Sequence, residues 1–173
     1  LGADTVGSKS VAIGMNALET QNMGSATDTY NVAVGFEAGQ LLTTGTNNTF
    51  IGGLSGDGNT DGNTNTAVGS QTLRANQRGD KNTAIGYKAL IDMNPSGDVD
   101  TYNTAVGFFA GLSITTGVQN TLIGASTGDA LTTGGLTAVG YNAGGSATTS
   151  IGNVFMGELS GASVTTGNNN TAV

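Results

Sequence analysis

The five-residue pattern Asn-Thr-Ala-Val-Gly, with close variants, recurs along the entire chain. Its glycine falls at Gly14, Gly35, Gly52, Gly69, Gly86, Gly107, Gly124, Gly140 and Gly157, so the steps are 21, 17, 17, 17, 21, 17, 16 and 17 residues. Self-similarity at so short a period predicts a solenoid or array, in which each unit contacts only its neighbours. The order 21-17-17-17 nearly starts over, giving a 72-residue super-repeat: residues 29–57 and 101–129 are close copies. Copy one runs from about residue 6 to 77 and copy two from 78 to 149. A partial third begins near 150, and we expect residues 1–173 to be one repeat domain cut from a longer fibre. The third copy is irregular, because "NVFMGELSG" matches "NTFIGGLSG" better than its own aligned segment.

Strand alternation can be read directly from the pattern. The position before each glycine is Ile13, Val34, Ile51, Val68, Ile85, Val106, Ile123, Val139 and Met156. The position before that is Ala12, Ala33, Phe50, Ala67, Ala84, Ala105, Leu122, Ala138 and Phe155. Adjacent strand residues point to opposite faces, so each short strand is apolar on both. The Ile/Val row is expected to fill the interior of the coil. The Ala/Phe row is expected to meet another chain, its small side chains permitting close approach. A symmetric homo-oligomer follows, with three chains about one axis; the alternative is a strand buried on both faces within one thicker chain. Ala and Phe side chains facing solvent, or enclosed by one self-sufficient subunit, would defeat the fibre reading built on this row.

The glycine is expected to supply a turn or a positive φ. The motif "LTTG", varied as "ITTG" and "VTTG", reads as a β-branched strand closed by a glycine turn. Asn31, Asn48, Asn65, Asn82, Asn103, Asn120, Asn153 and Asn170 open successive units, and stacked rungs would align them as a ladder or simply use them as turn formers. Ten rungs at ~4.8 Å make a rod of about 45 Å.

Composition narrows the function. Thirty glycines and regular aliphatics fit an ordered repeat rather than a linker. The net charge is −7 with only five basic residues, which argues against nucleic acid and anionic membrane surfaces as partners. No apolar run approaches the ~20 residues of a membrane span. With no Cys and no His, a Ser-His-Asp triad, a Cys nucleophile and a Cys/His zinc site cannot form within the chain. No pair of carboxylates recurs at a repeated position, so no enzyme is expected.

Four local features could bind something. Asp57, Asn59 and Asp61 in "DGNTDG" match the first half of a calcium loop, but position twelve is Val68, not Glu; a polar turn is the stronger reading and no other cofactor is expected. Residues 78–80 read "RGD", a short motif that arises easily by chance. Tyr30, Tyr87, Tyr102 and Tyr141 could stack on sugars or pack at rung corners. The 21-residue steps insert polar loops at 19–30 and 91–102, which are expected to project from the rod.

"SVAIGMNAL" (10–18) resembles the repeat of trimeric autotransporter adhesin heads, and the fuller "TTG-x-x-NTAVGYxAG" pattern resembles repeats of phage tail fibres. The resemblance covers nearly the whole chain. It implies an all-β, left-handed parallel β-roll of about ten 16–21-residue rungs, assembled as a homotrimer outside cells. Rungs longer than those of the autotransporter heads, with Thr in place of Ser, favour a tail fibre on a virion surface over a bacterial cell-surface adhesin. The implied partners are the chain itself and a host cell-surface glycan or protein. The family brings no catalytic residues.

Overall fold

The computed structural model describes residues 4, 6–149 and 151–173, and among these there is no helix. Ten short strands form one parallel sheet. In chain order they are β2 (Val11–Ile13), β4 (Val32–Val34), β5 (Thr49–Ile51), β6 (Thr66–Val68) and β8 (Thr83–Ile85), followed by β10 (Thr104–Val106), β11 (Thr121–Ile123), β12 (Leu136–Val139), β13 (Asn153–Met156) and β14 (Thr171–Ala172). Each strand pairs with the corresponding strand of the next rung in identical register, so Ala33 lies beside Phe50, and Phe50 beside Ala67. The chain is a β-solenoid of about ten turns. The two long steps hold extra pairs, β1 (Gly7–Ser8) with β3 (Thr27–Asp28), and β7 (Gly79–Asp80) with β9 (Val99–Asp100).

The strand-end glycines all have φ between 123° and 146°, as expected. A β-carbon on any of Gly14 through Gly140 would collide with the carbonyl of the next rung's equivalent glycine; on Gly69 it would lie 2.7 Å from Gly86 O. Conformation and close stacking both demand glycine there.

The two strand rows are exchanged relative to the sequence expectation. Ala33, Phe50, Ala67, Ala84, Ala105, Leu122, Ala138 and Phe155 are all fully buried inside the single chain, and Ala12 packs against the same core. Ile13, Ile51, Ile85, Ile123 and Met156 face outward and are exposed, while Val34, Val68, Val106 and Val139 are half-buried. The Ala/Phe row is therefore not an uncovered inter-chain surface, and the Ile/Val row is not the core.

The reason lies in volume. The interior is narrow and also receives side chains from the opposite wall. Four residues past the strand-end glycine come Leu18, Leu73 and Leu90, buried and held at φ near 50°; the other rungs have glycine there. Seven residues past it come Leu42, Met93, Ile114 and Leu131, all buried. Where the strand gives Phe50, a β-carbon on Gly39 would sit 2.8 Å, and one on Gly56 2.5 Å, from its ring. Where the strand gives Ala67 or Ala84, Leu73 or Leu90 fills the space.

This large-for-small exchange recurs with the 72-residue period, except on the second rung of each copy, where both positions are small and Leu42 or Ile114 is buried on the opposite wall. In copy one the rungs run Ala12/Leu18, Ala33/Gly39, Phe50/Gly56 and Ala67/Leu73. Copy two begins Ala84/Leu90, Ala105/Gly111, Leu122/Gly128, and Gly111 is wedged between Leu90 and Leu122. Its fourth rung breaks the rule as Ala138/Gly144, with Leu136 supplying the volume beside Gly128 and Gly144. Phe155/Gly161 follows, so the irregular third copy is a consequence of core packing.

The asparagine ladder is present and buried. Asn31 donates through Nδ2 to Gly45 O at 2.8 Å, and its Oδ1 accepts the backbone N–H of Asn48 at 2.9 Å. Asn48 repeats both bonds to Gly62 and Asn65. Each amide thus satisfies one turn carbonyl and one N–H of the next rung, groups that would otherwise be buried without partners. The Leu136 N–H still donates to Asn120 Oδ1 at 3.0 Å, but leucine passes nothing on. The ladder resumes at Asn153.

The "LTTG" motif forms no strand. Its first residue, as at Leu42 and Leu131, points into the core. The threonine turns outward in a bend, where Thr43 and Thr44 both donate N–H to Thr60 O at 2.7 and 3.1 Å. Sharing one acceptor breaks the one-to-one ladder that a strand requires.

Candidate functional site

The outer face of the ten-stranded sheet is an unusual surface. The Ile/Val row runs along it without interruption, and no residue of the ten strands is charged. Beside it, one position past the strand-end glycine, stand Met15, Phe36, Tyr87, Phe108 and Tyr141, all exposed. Tyr87 and Phe108 stack with ring centroids 5.5 Å apart, and Phe109 lies 3.9 Å from Phe108. Lys88 Nζ lies 5.3 Å from the Tyr87 centroid, placing a cation over the cluster. Only Phe50 and Phe155 among the nine aromatic side chains are buried.

The two inserted loops are strapped down at their ends rather than left free. In copy one, Lys9 Nζ donates to Asp28 Oδ2 at 2.6 Å and to Tyr30 OH at 3.1 Å, and lies 5.1 Å from the Tyr30 ring centroid. In copy two, Lys81 makes the same set with Asp100 at 2.6 Å, Tyr102 OH at 3.3 Å and the ring at 5.2 Å. Thr29 and Thr101 each bond back to the preceding rung, to Ser8 O and Asp80 O. Hydrogen bonding to Lys9 and Lys81 holds Asp28 and Asp100 below the ordinary carboxylate value, and the lysines rise in return. These groups are solvent-exposed, so the pairs contribute little stability. Tyr30 and Tyr102 thus belong to surface clamps, Tyr87 to the aromatic cluster and Tyr141 to the exposed column.

The calcium-loop residues do not converge. Asn59 is buried at a core position, seven past the strand-end glycine. Asp57 and Asp61 lie outside and pair with different arginines, Arg74 at 3.5 Å and Arg78 at 3.6 Å. Alternation of the backbone separates the middle residue from its neighbours. The "RGD" segment is likewise built into the wall. Gly79 is buried, and Asp80 Oδ1 accepts the Asn63 N–H at 2.6 Å.

A wall different from the sheet carries a cavity of about 330 Å³, lined by Asp57, Arg74, Ala75, Ile91 and Asp92. Asp57 Oδ1 is buried there without a hydrogen-bond partner. Burial pushes the Asp57 carboxyl above its ordinary value, with Arg74 pulling the other way. No motif marks these residues. The signal was the column five past the glycine, where Asp57, Arg74 and Ile91 stand on consecutive rungs.

Compared with known proteins, the chain matches no family model, no curated protein and no solved structure.

Proposed function

We propose that this chain is a structural segment of a homotrimeric, extracellular adhesive fibre, of the kind that forms phage tail fibres on a virion surface, wound as a left-handed β-roll. One observation carries the reading: an uncharged apolar row that runs the full length of the sheet and stays uncovered within one chain. Its flat area, on the order of 450 Å² for ten rungs at ~4.8 Å, is ordinary for a monomer. Its continuity and its lack of charge are not ordinary. A second copy matches it best, because only a sheet of the same rung spacing brings every Ile/Val into register with another. The three-chain stoichiometry rests on the "NTAVG" resemblance. The alternative, the head of a bacterial trimeric adhesin, rests on "SVAIGMNAL" (10–18).

The mechanism is mechanical and multivalent. Stacked rungs give reach and stiffness, and three-fold repetition multiplies weak contacts with a host surface glycan or protein. Sedimentation of the 173-residue chain is expected to give three times its 17.0 kDa mass. Ile51→Asp with Ile85→Asp, both outward-facing, is expected to release folded monomers. A monodisperse monomer for the unaltered chain would falsify the assembly.

A further inference from the structure

We propose that one edge of the ten-stranded sheet seats against the opposite edge of the next copy at the same rung height, so that the chains of the fibre run parallel and level. The inference rests on the fibre reading and adds a second contact, a direction and a register to it. Ile and Val alternate strictly from Ile13 to Val139. An alternating row looks alike read upward or downward, so the apolar face alone does not orient a second copy.

The two flanks of the sheet do orient it. One flank lies five residues before the strand-end glycine, the other one residue past it. Lys9 and Met15 share the rung of β2, Tyr30 and Phe36 that of β4, Lys81 and Tyr87 that of β8, Tyr102 and Phe108 that of β10, and all eight are exposed. On the two rungs between, the pairs are small and uncharged, Asn47 with Gly53 and Thr64 with Ser70. Large side chains thus stand at both edges on the same rungs. Three sheets facing one axis bring the leading edge of each against the trailing edge of the next, and rotation about that axis keeps every rung at its own height. Tyr141 is the exception, standing across from Gly135.

Charge carries the inference furthest, because the two edges change in opposite senses between the copies. Beside the Lys-Asp-Tyr clamp, Ser8 and Ala26 of copy one become Asp80 and Asp98 of copy two. Val6 also becomes Arg78, but Asp61 takes up that cation. On the other edge Asn16 becomes Lys88, and Glu37 becomes Phe109. One edge turns acidic where the other turns basic. Nothing within the chain joins them: among the described residues, Lys9, Arg74, Arg78 and Lys81 each have a carboxylate partner and Lys88 has none. Burial raises the Asp80 carboxyl, and Asp98 and Asp100 push it the same way, so the acidic edge is short of positive charge. Lys88 of a level neighbour supplies it, and the Tyr87–Phe108–Phe109 cluster then meets Tyr102.

Other occupants match half of this pattern. A basic peptide would cover the acidic edge and leave the aromatic cluster exposed, and an acidic one would do the reverse. An antiparallel copy sets each edge against its own kind. A copy slipped by one super-repeat sets Lys88 against the clamp of copy one, where Lys9 already balances Asp28.

The chain has no cysteine, so introduced thiols report unambiguously. Lys88→Cys chains and Asp100→Cys chains, one of them tagged, are unfolded, refolded together and treated with a short bismaleimide. A mixed covalent dimer is expected. Lys88→Cys mixed with Asp28→Cys, four rungs away, is expected to give none. Lys88→Glu is expected to weaken association about 2–5-fold per contact, and Asp98→Lys added to the same chain to recover most of it. All of these positions lie outside the core. Sedimentation of each mixture separates the possible failures. Trimers that do not link Lys88→Cys to Asp100→Cys, that link Lys88→Cys to Asp28→Cys equally well, or that show no recovery on charge reversal overturn the edge pairing and leave the fibre standing. Monomers throughout overturn both.

Discussion

The two 72-residue copies share a backbone plan but spend their interiors differently. At the strand position copy one has Phe50 where copy two has Leu122. At the inner wall copy one has Asn59 and Asn76, where copy two has Leu131 and Ala147. Both copies keep the stacked glycines, the asparagine ladder and the Lys-Asp-Tyr clamp in matching geometry. Hydrogen bonds to backbone groups tolerate few substitutes, since nearly every rung uses the same donors and acceptors in the same place; Leu136 in copy two is the departure. Volume can be traded between columns, as Phe50 with Gly56 and Ala67 with Leu73 show.

The sharpest way to break this comparison is at Phe50. Phe50→Ala is expected to cost about 3–5 kcal/mol, the range for emptying a buried aromatic site, and Leu122→Ala in copy two about 2–5 kcal/mol. If the columns truly exchange volume, adding Gly56→Leu to Phe50→Ala should recover part of the loss, because it recreates the Ala67/Leu73 arrangement. The recovery is incomplete, since a leucine at positive φ carries a backbone cost of about 1–2 kcal/mol. Gly56→Leu alone should destabilise, its side chain meeting the Phe50 ring. A double-mutant cycle by urea unfolding gives the coupling, and strictly additive effects would sink the exchange.

A smaller effect of opposite sign is expected at Asn59. Its Oδ1 and Nδ2 are both buried without partners, whereas Asn76 bonds Gly79 on both sides. Asn59→Leu, which copies Leu131, is expected to stabilise by about 1–3 kcal/mol, the usual relief on removing an unsatisfied buried polar group. A lowered urea midpoint would show that Asn59 has a partner in solution.

The smallest expected effect depends on pH. Asp57 is desolvated and its carboxyl lies above the ordinary 3.8 when folded. Below 3.8 both folded and unfolded states are protonated and nothing is lost. As pH rises through the raised folded value, ionisation weakens the fold, and the loss is complete above it. Asp57→Asn should therefore melt with the unaltered chain near pH ~3 and slightly above it near pH ~7. Identical curves at both pH values would mean that water reaches the carboxylate.

Much of this was legible in the sequence. The glycine interval marked the rungs, and the repeating Asn offered a ladder beside a plain turn-forming role without deciding between them. The inside and outside of the strand were not legible, because Ala33 and Val34 are both apolar and period-two alternation cannot rank them. What ranks them is the opposite wall: Leu18 and Leu42 already occupy the interior, so only Ala fits between unless a glycine yields to Phe50. The threonine bends misled for a related reason, since β-propensity describes Thr43 and Thr44 but not the shared acceptor beneath them. Among the candidate sites, the acidic turn was visible as a motif but its geometry was not, because Asn59 turns inward. The cavity residues come from three rungs and only stacking aligns them.

Each turn of the coil bonds only to the turns above and below, and those bonds lie along the rod. Tension applied along that direction therefore loads the rungs in series, one row after another. The row with the fewest cross-links yields first and lets out about 60 Å of chain, its ~17 residues at ~3.5 Å each. Leu136 removes the amide link from one such row, but there the pairing of Leu136–Val139 with Asn153–Met156 runs over four residues, longer than on the other rows, and takes up the load.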